Sequence, residues 1–495
     1  MKIKLLLLFT LILSSFNLAQ SDIEKGVLRG LDFCYNFRWN KADEEFQKLI
    51  DKYPDDLRGY HYKSTISLWY YLSSKSPDDY QNFIHYSDLA LDKGGKQLDT
   101  DPDNEIILYT LGTAYSSRAI VFAKAESYLN AAWASKKSES YLNDALKINP
   151  KRADAYLGLG LYNFAVGQIP SGFKWALSLA GIKGNKELGI QYLRKAANDG
   201  YFSKVEASYY LSQIYSEAVN NYDMASKYLN PLVKKYPDNL LFNYSMGVLE
   251  IKRMNLSQAE RIISKILRTN ETNFNELIYL SDFLLGDIYF KENNFDSAKE
   301  YYIKFISSYD QKDYKGIADY RLGICYELTD NRNTAVQYFY QADKGNMDLD
   351  DDVFAKREGG IYARRSMAFT EVEVLKASNI IDQGNYKDAI DKLNQSLEQI
   401  KSDRLKAEAN YYISTAYFFL GKYNEAVKFA VTAKGFNSSE ESWIKPFADY
   451  YIAQSMLKLN KKDDALKMID EAEDFNNYDY QNKLKNLLFA LKSQR

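Results

Sequence analysis

"FNYSMGVLEIKRMNLSQAERIISKIL" (242–267), "SDFLLGDIYFKENNFDSAKEYYIKFI" (281–306) and "ADYRLGICYELTDNRNTAVQYFYQAD" (318–343) are three versions of one pattern. In each, a glycine (Gly247, Gly286, Gly323) stands twelve residues ahead of an alanine (Ala259, Ala298, Ala335). A large residue (Ile263, Tyr302, Phe339) follows that alanine by four. Polar turn residues fall between, at Asn255, at Asn293 and Asn294, and at Asp330 and Asn331. Helical spacing interrupted at mid-unit by turn residues reads as two helices joined by a tight turn, then repeated. Glycine on the first helix and alanine on the second let the two axes approach closely. The larger residues are expected to fill the gaps between one pair and its neighbour.

Weaker copies extend the array. Residues 28–54 carry Gly30, Ala42, Phe46 and Pro54 at the same spacing, and Ala225, Leu229 and Pro237 mark another unit. Proline at a unit's end stops the second helix. Ala389, Ala426 and Ala465 continue the series toward the C-terminus. Two units, around Tyr60 to Pro102 and Ile106 to Pro150, look stretched. From Ala225 onward the key alanines are 34, 39, 37, 54, 37 and 39 residues apart. The jump of 54 holds "GNMDLDDDVFAKREGGIYARRSMAF" (345–369), read as an acidic loop followed by an extended helix.

This array resembles the tetratricopeptide repeat, a pair of antiparallel helices in about 34 residues. The resemblance runs over most of residues 23 to 480 in eight or more copies. It implies an all-α fold, a right-handed helical solenoid of antiparallel helix pairs. The expected organisation is a signal peptide at 1–19 and N-terminal repeats at 20–205 with an apolar insert at 168–185. Central repeats at 206–346 and C-terminal repeats at 347–495 follow.

The insert lies between a first helix, "AYLGLGLYNFAVG" (155–167), and a partner helix that starts only near Lys186. Residues 169–200 resemble a signature of a eukaryotic tetratricopeptide family of outer-membrane and inclusion-body-clearance proteins. Ile169, Pro170, Gly181, Gly184, Asn185, Gly189 and Leu193 carry the match. Phe173 to Ile182 is expected to form a short apolar helix, started by Pro170 and Ser171. Three roles stay open for Phe173, Trp175 and Leu177: a plug within the groove, a docking site for a partner, or contact with a membrane surface.

With 495 residues the chain is too long for one compact core, which agrees with a repeat array. Lys and Arg total 64 against 66 Asp and Glu, so no basic face invites nucleic acid. The first residues, MKIKLLLLFTLILSSFNLAQS, join Lys2 and Lys4 to an apolar run and small residues around Ala19. That is the pattern of a secretory signal peptide, too short for a transmembrane helix. It predicts an exported protein, periplasmic or secreted, with no transmembrane span in the mature chain. The two cysteines, Cys34 and Cys325, sit in apolar helical patterns and read as buried and unpaired.

Catalytic signatures do not emerge. His61 and His85 are the only histidines, and HExxH, GxSxG, P-loop and GxGxxG patterns are missing. "DLDDD" (348–352) lacks the central glycine and the closing glutamate of a calcium loop, and reads as a solvated acidic loop. No enzyme activity, cofactor or metal is expected.

Binding is better supplied, because tyrosine is abundant at 43 residues. The fifth place of the repeat lines the concave face in tetratricopeptide folds, and here it is repeatedly aromatic. Tyr210 (or Tyr209), Tyr244, Phe283, Tyr320, Tyr411 and Tyr450 occupy it. Either these rings pack against the next helix, or they form a track that stacks on a peptide or a sugar. The Lys and Asn pattern by which some family members clamp a terminal carboxylate is missing at these places. The expected function is therefore a non-catalytic exported scaffold holding a protein or peptide partner in an aromatic-rich groove. The alternative is a helical glycan-binding protein of the cell envelope.

Overall fold

The computed structural model describes residues 21–168, 183–269 and 273–492, apart from the Gln168 side chain. Among the described residues every regular element is helical, and the fold is an all-α solenoid of antiparallel pairs. In chain order the pairs are α1 (21–35) with α2 (Trp39–Lys52), α3 (Leu57–Ser74) with α4 (Pro77–Thr100), and α5 (Glu105–Lys124) with α6 (Tyr128–Ile148). Next come α7 (Ala155–Gln168) with α8 (Lys186–Asp199), and α9 (Lys204–Gln213, continued as a π-helical turn Ile214–Ala218) with α10 (Tyr222–Lys235). Then follow α11 (Leu240–Lys252) with α12 (Leu256–Ile266), α13 (Asn275–Lys291) with α14 (Phe295–Ser308), and α15 (Lys315–Leu328) with α16 (Arg332–Gln341). A single helix, α17 (Asp350–Tyr362), precedes α18 (Phe369–Asp382) with α19 (Tyr386–Leu397). The series closes with α20 (Asp403–Phe419) and α21 (Tyr423–Gly435), α22 (Ile444–Lys458) and α23 (Lys462–Asp474), and α24 (Gln481–Lys492).

The polar turn residues have a clear local reason. Asn293, Asp330, Gly384, Gly421 and Asn460 all take positive φ, between 59° and 78°, just after a first helix. Glycine reaches this left-handed conformation freely, and Asn and Asp tolerate it better than other residues. The residue that follows opens the second helix, as where Asn294 accepts a hydrogen bond from the Ser297 N–H at 3.2 Å.

The glycine–alanine signature translates into contacts inside each pair. A Cβ on Gly30 would fall 2.1 Å from the Phe46 ring, and one on Gly247 2.2 Å from Ile263. For Gly286 and Tyr302 the distance is 2.7 Å, and for Gly323 and Phe339 it is 2.6 Å. The large residue thus seats itself first on the glycine of its own pair. It also reaches onward to the neighbouring pair, as expected, where Phe46 meets Tyr62 with ring centroids 5.9 Å apart. The key alanines, Ala42 through Ala465, are fully buried.

Departures from the regular period have equally plain causes. The stretched units contain long helices of 18, 24, 20 and 21 residues, α3 to α6. The jump of 54 residues holds the additional helix α17. Its acidic run is not a solvated loop: Asp350, Asp351 and Asp352 form the first turn, where the helix dipole favours negative charge. Asp352 is fully buried and accepts from the N–H groups of Ile317 and Asn346, both at 2.8 Å. Burial pushes its carboxyl up to about 6.

Helix α8 starts at Lys186, capped by Asn185, whose side chain accepts from the Leu188 N–H at 2.8 Å. Its approach to α7 is backbone-close, since a Cβ on Gly189 would stand 2.6 Å from the Phe164 nitrogen. The expected short helix at 173–182, with Phe173, Trp175 and Leu177, lies outside the described residues, as does the leader at 1–19.

Among the described residues the chain divides into two compact units. The first takes the described residues within 1–213, 227–243 and 270–275, and the second those within 214–226, 244–269 and 276–495. In the first unit α5 is long and apolar enough to cross a membrane by length and composition. Half of that window is buried, with Ile107, Leu111, Val121 and Phe122 packed inside the unit. An interior helix surrounded by α3, α4, α6 and α7 acquires the same composition.

Candidate binding cavity

The first helices of successive pairs in the second unit (α13, α15, α18, α20, α22) share one face. Together with α17 and the start of α24 they line a cavity that is partly open to solvent.

Two of the aromatic residues singled out in the sequence line it, Tyr320 and Tyr411. Each is only 8% exposed. Tyr320 sits edge-on to Phe354, with centroids 5.9 Å apart. Tyr411 meets Trp443 edge-on at 5.0 Å. The others do not line this cavity. Phe283 is buried against Tyr302, Phe305 and Tyr314. Tyr450 packs against Tyr451 and bonds the Gln454 amide at 2.6 Å. Tyr244 is half-buried, and burial raises its hydroxyl well above the usual range. Tyr210, also half-buried, belongs to a separate cavity in the first unit.

The charged part of the wall was not legible in the sequence. Arg404 donates from Nε to Glu441 at 2.9 Å, from Nη2 to Glu358 at 3.2 Å and from Nη1 to Glu371 at 3.4 Å. Arg357 donates to Glu358 at 2.6 Å, to Glu441 at 2.8 Å and to Asp479 at 2.8 Å. The Trp443 indole N–H adds a further bond to Glu441 at 2.6 Å. Two guanidinium groups thus bridge two carboxylates that are only 3% and 2% exposed. Such a buried cluster holds only when every member is paired.

Glu408 stands beside this network in the cavity wall and has no ion-pair partner among the described residues. Burial raises its carboxyl, and the nearby Glu441 charge adds to the effect, while the Tyr412 hydroxyl bonds to it. Glu358 is raised for the same reasons, against the pull of Arg357 and Arg404. Elsewhere on the wall Arg321 pairs with Asp287, and Lys291 with Asp382. The Lys483 ammonium lies over the Tyr480 ring at 5.6 Å. Chemically the cavity offers aromatic faces and, among the described residues, one carboxyl and one ammonium without an ion-pair partner. Among the described residues no group of three or more His, Cys, Asp or Glu is placed to hold a metal ion.

Sequence spacing carries no signal for this cluster, because Glu358, Arg404 and Glu441 stand 46 and 37 residues apart. Only the packing of α17, α18, α20 and α22 within the second unit brings them together.

Comparison with known families agrees with this architecture. The Iml2/Tetratricopeptide repeat protein 39 profile matches residues 109–349, and a tetratricopeptide repeat profile matches residues 15–56. The chain is a tetratricopeptide repeat protein. It resembles the Iml2/Tetratricopeptide repeat protein 39 family over a span that includes the glycine-bearing signature at 169–200. Similar solved structures include PilF of Pseudomonas aeruginosa, 17% identical, covering 50% of this chain and 97% of that one with a TM-score of 0.35. Yeast Tom70 is 13% identical over 96% of both chains, with a TM-score of 0.26. Human IFIT1 is 14% identical over 77% of this chain and 95% of that one, with a TM-score of 0.36.

Proposed function

We propose that this tetratricopeptide repeat protein is a non-catalytic scaffold, exported to the cell envelope, that seats an extended peptide segment of a protein partner in the second unit's cavity. Tetratricopeptide repeats make protein-interaction scaffolds, and this is the level at which the family speaks. The observation that carries the finer reading is Glu408. The wall around it already uses Arg357 and Arg404 on Glu358, Glu441, Glu371 and Asp479. A basic side chain entering the cavity would pair with the remaining carboxyl and lie against the neighbouring rings. Export rests on the leader-like residues 1–19.

A random-peptide phage library selected on the mature chain tests the seat. Enriched peptides should carry Lys or Arg beside apolar residues, and their binding should weaken about tenfold or more in Glu408→Lys. Failure to enrich any peptide, or equal binding to the variant, would sink the proposal. Binding of soluble glycans lost in Tyr320→Ala would install the glycan reading instead. For export, N-terminal sequencing of chain recovered from the envelope fraction should begin at Gln20. A chain confined to the cytosol and still starting at Met1 would overturn that part.

A further inference from the structure

The first unit contains two adjoining small cavities, and Trp69 and Glu206 lie in the walls of both. Glu206, near the start of α9, is the only Asp, Glu, Lys or Arg among the described residues of either wall. It forms no ion pair and no hydrogen bond with the described residues. Three further polar atoms nearby are buried and without a hydrogen-bond partner among the described residues. They are Tyr35 Oη and Trp39 Nε1 in residues lining the smaller cavity, and His61 Nδ1 in a residue lining the larger. Tyr35, Trp39 and His61 are 9%, 5% and 4% exposed. Packed interiors rarely leave so many polar groups unserved in one place, because each loses its hydration without compensation.

We infer that these adjoining cavities form a binding site for a small organic cation, an amine or quaternary ammonium that also carries a hydroxyl or carbonyl oxygen. The cation pairs with the Glu206 carboxylate and lies among the aromatic faces of Tyr62, Trp69 and Tyr210. The oxygen accepts from the Tyr35 hydroxyl and the Trp39 indole N–H, which an apolar ligand would leave unserved. An anion finds no Lys or Arg among the described residues of either wall to receive it.

The electrostatics agree with this geometry. Burial pushes the Glu206 carboxyl up to about 7, and its charge is felt by Cys34 and Tyr35 on α1, Tyr62 on α3 and Tyr210 on its own helix. His61, also on α3, is held neutral, with burial pulling its pKa down to about 4. Tyr109 on α5 is raised well above the usual range by burial. Glu206 is therefore the group in this site that changes charge near neutrality, and a bound cation would keep it ionised.

Isothermal titration of the mature chain with choline and with tyramine tests the assignment, each against its uncharged isostere and against hydroxyphenylacetate. At least one cation should bind where its isostere and the anion do not. Its affinity should rise about tenfold or more between about pH 5.5 and about pH 8, as the carboxyl ionises. Glu206→Gln should abolish binding while far-ultraviolet circular dichroism stays unchanged. Tyr35→Phe with Trp39→Phe should weaken choline binding at unchanged charge. If neither cation binds better than its isostere, or if Glu206→Gln binds as wild type does, the site is not a cation site and the assignment falls.

Discussion

Phe339 lies on Gly323 across the turn of its helix pair, where a Cβ on the glycine would fall 2.6 Å from Cδ1 of the ring. Phe339 is 1% exposed and cannot retreat into solvent. Gly323→Ala should therefore destabilise the protein by about 1–3 kcal/mol through overpacking. Gly360 on α17 is the control, because nothing lies within 4 Å of a Cβ built there. Gly360→Ala should raise stability by about 0.4–1 kcal/mol through a less mobile unfolded chain. Thermal unfolding of the two variants side by side reads the difference. Equal melting temperatures would mean that the helix pair opens without penalty.

Arg404 holds Glu358, Glu371 and Glu441 at once. Its removal as Arg404→Met should lower stability by about 3–5 kcal/mol, because buried carboxylates lose their counter-ion. The loss should be greater above neutral pH, where those carboxylates are ionised, than under acid conditions. Adding Glu358→Gln to Arg404→Met should recover part of it. Denaturant titrations at two pH values, showing no difference between the single and double variants, would contradict the network.

Glu206 makes a signed prediction. Its carboxyl is raised from 4.5 to about 7 by burial, so the folded state binds that proton more tightly than the unfolded state. Stability is then lost as pH rises between those values, with the full penalty present above the upper one. Glu206→Gln removes the penalty. The variant should match wild type at about pH 4.5 and exceed it at about pH 8 by on the order of 3 kcal/mol. A melting-temperature profile in which the variant is less stable at the higher pH would reverse the sign and refute the burial argument.

Cys34 and Cys325 are both buried and free, and burial pushes both thiols up. A thiol held in that form is a poor nucleophile. Ellman's reagent should leave the native protein unmodified and label both cysteines after denaturation. Fast labelling of either one in the native state would show that its helix opens.

The sequence by itself determined the repeat. Gly30, Gly247, Gly286 and Gly323, spaced against Phe46, Ile263, Tyr302 and Phe339, encode a contact between two helices close together in the chain, and such contacts leave a period. Turn residues such as Asn293 and Asp330 are legible for the same reason, since a left-handed backbone selects its own residue types. The aromatic places were legible as a series, but not their fate. Tyr320 and Tyr411 line one cavity, while Phe283 and Tyr450 disappear into packing. Which of these happens depends on how the next pair leans, and no local spacing records that. Tertiary structure alone decided the charged cluster of Glu358, Arg404 and Glu441, and the isolation of Glu206 among aromatic walls. Their energies come from burial and from partners many residues away, brought together only when the helix pairs stack.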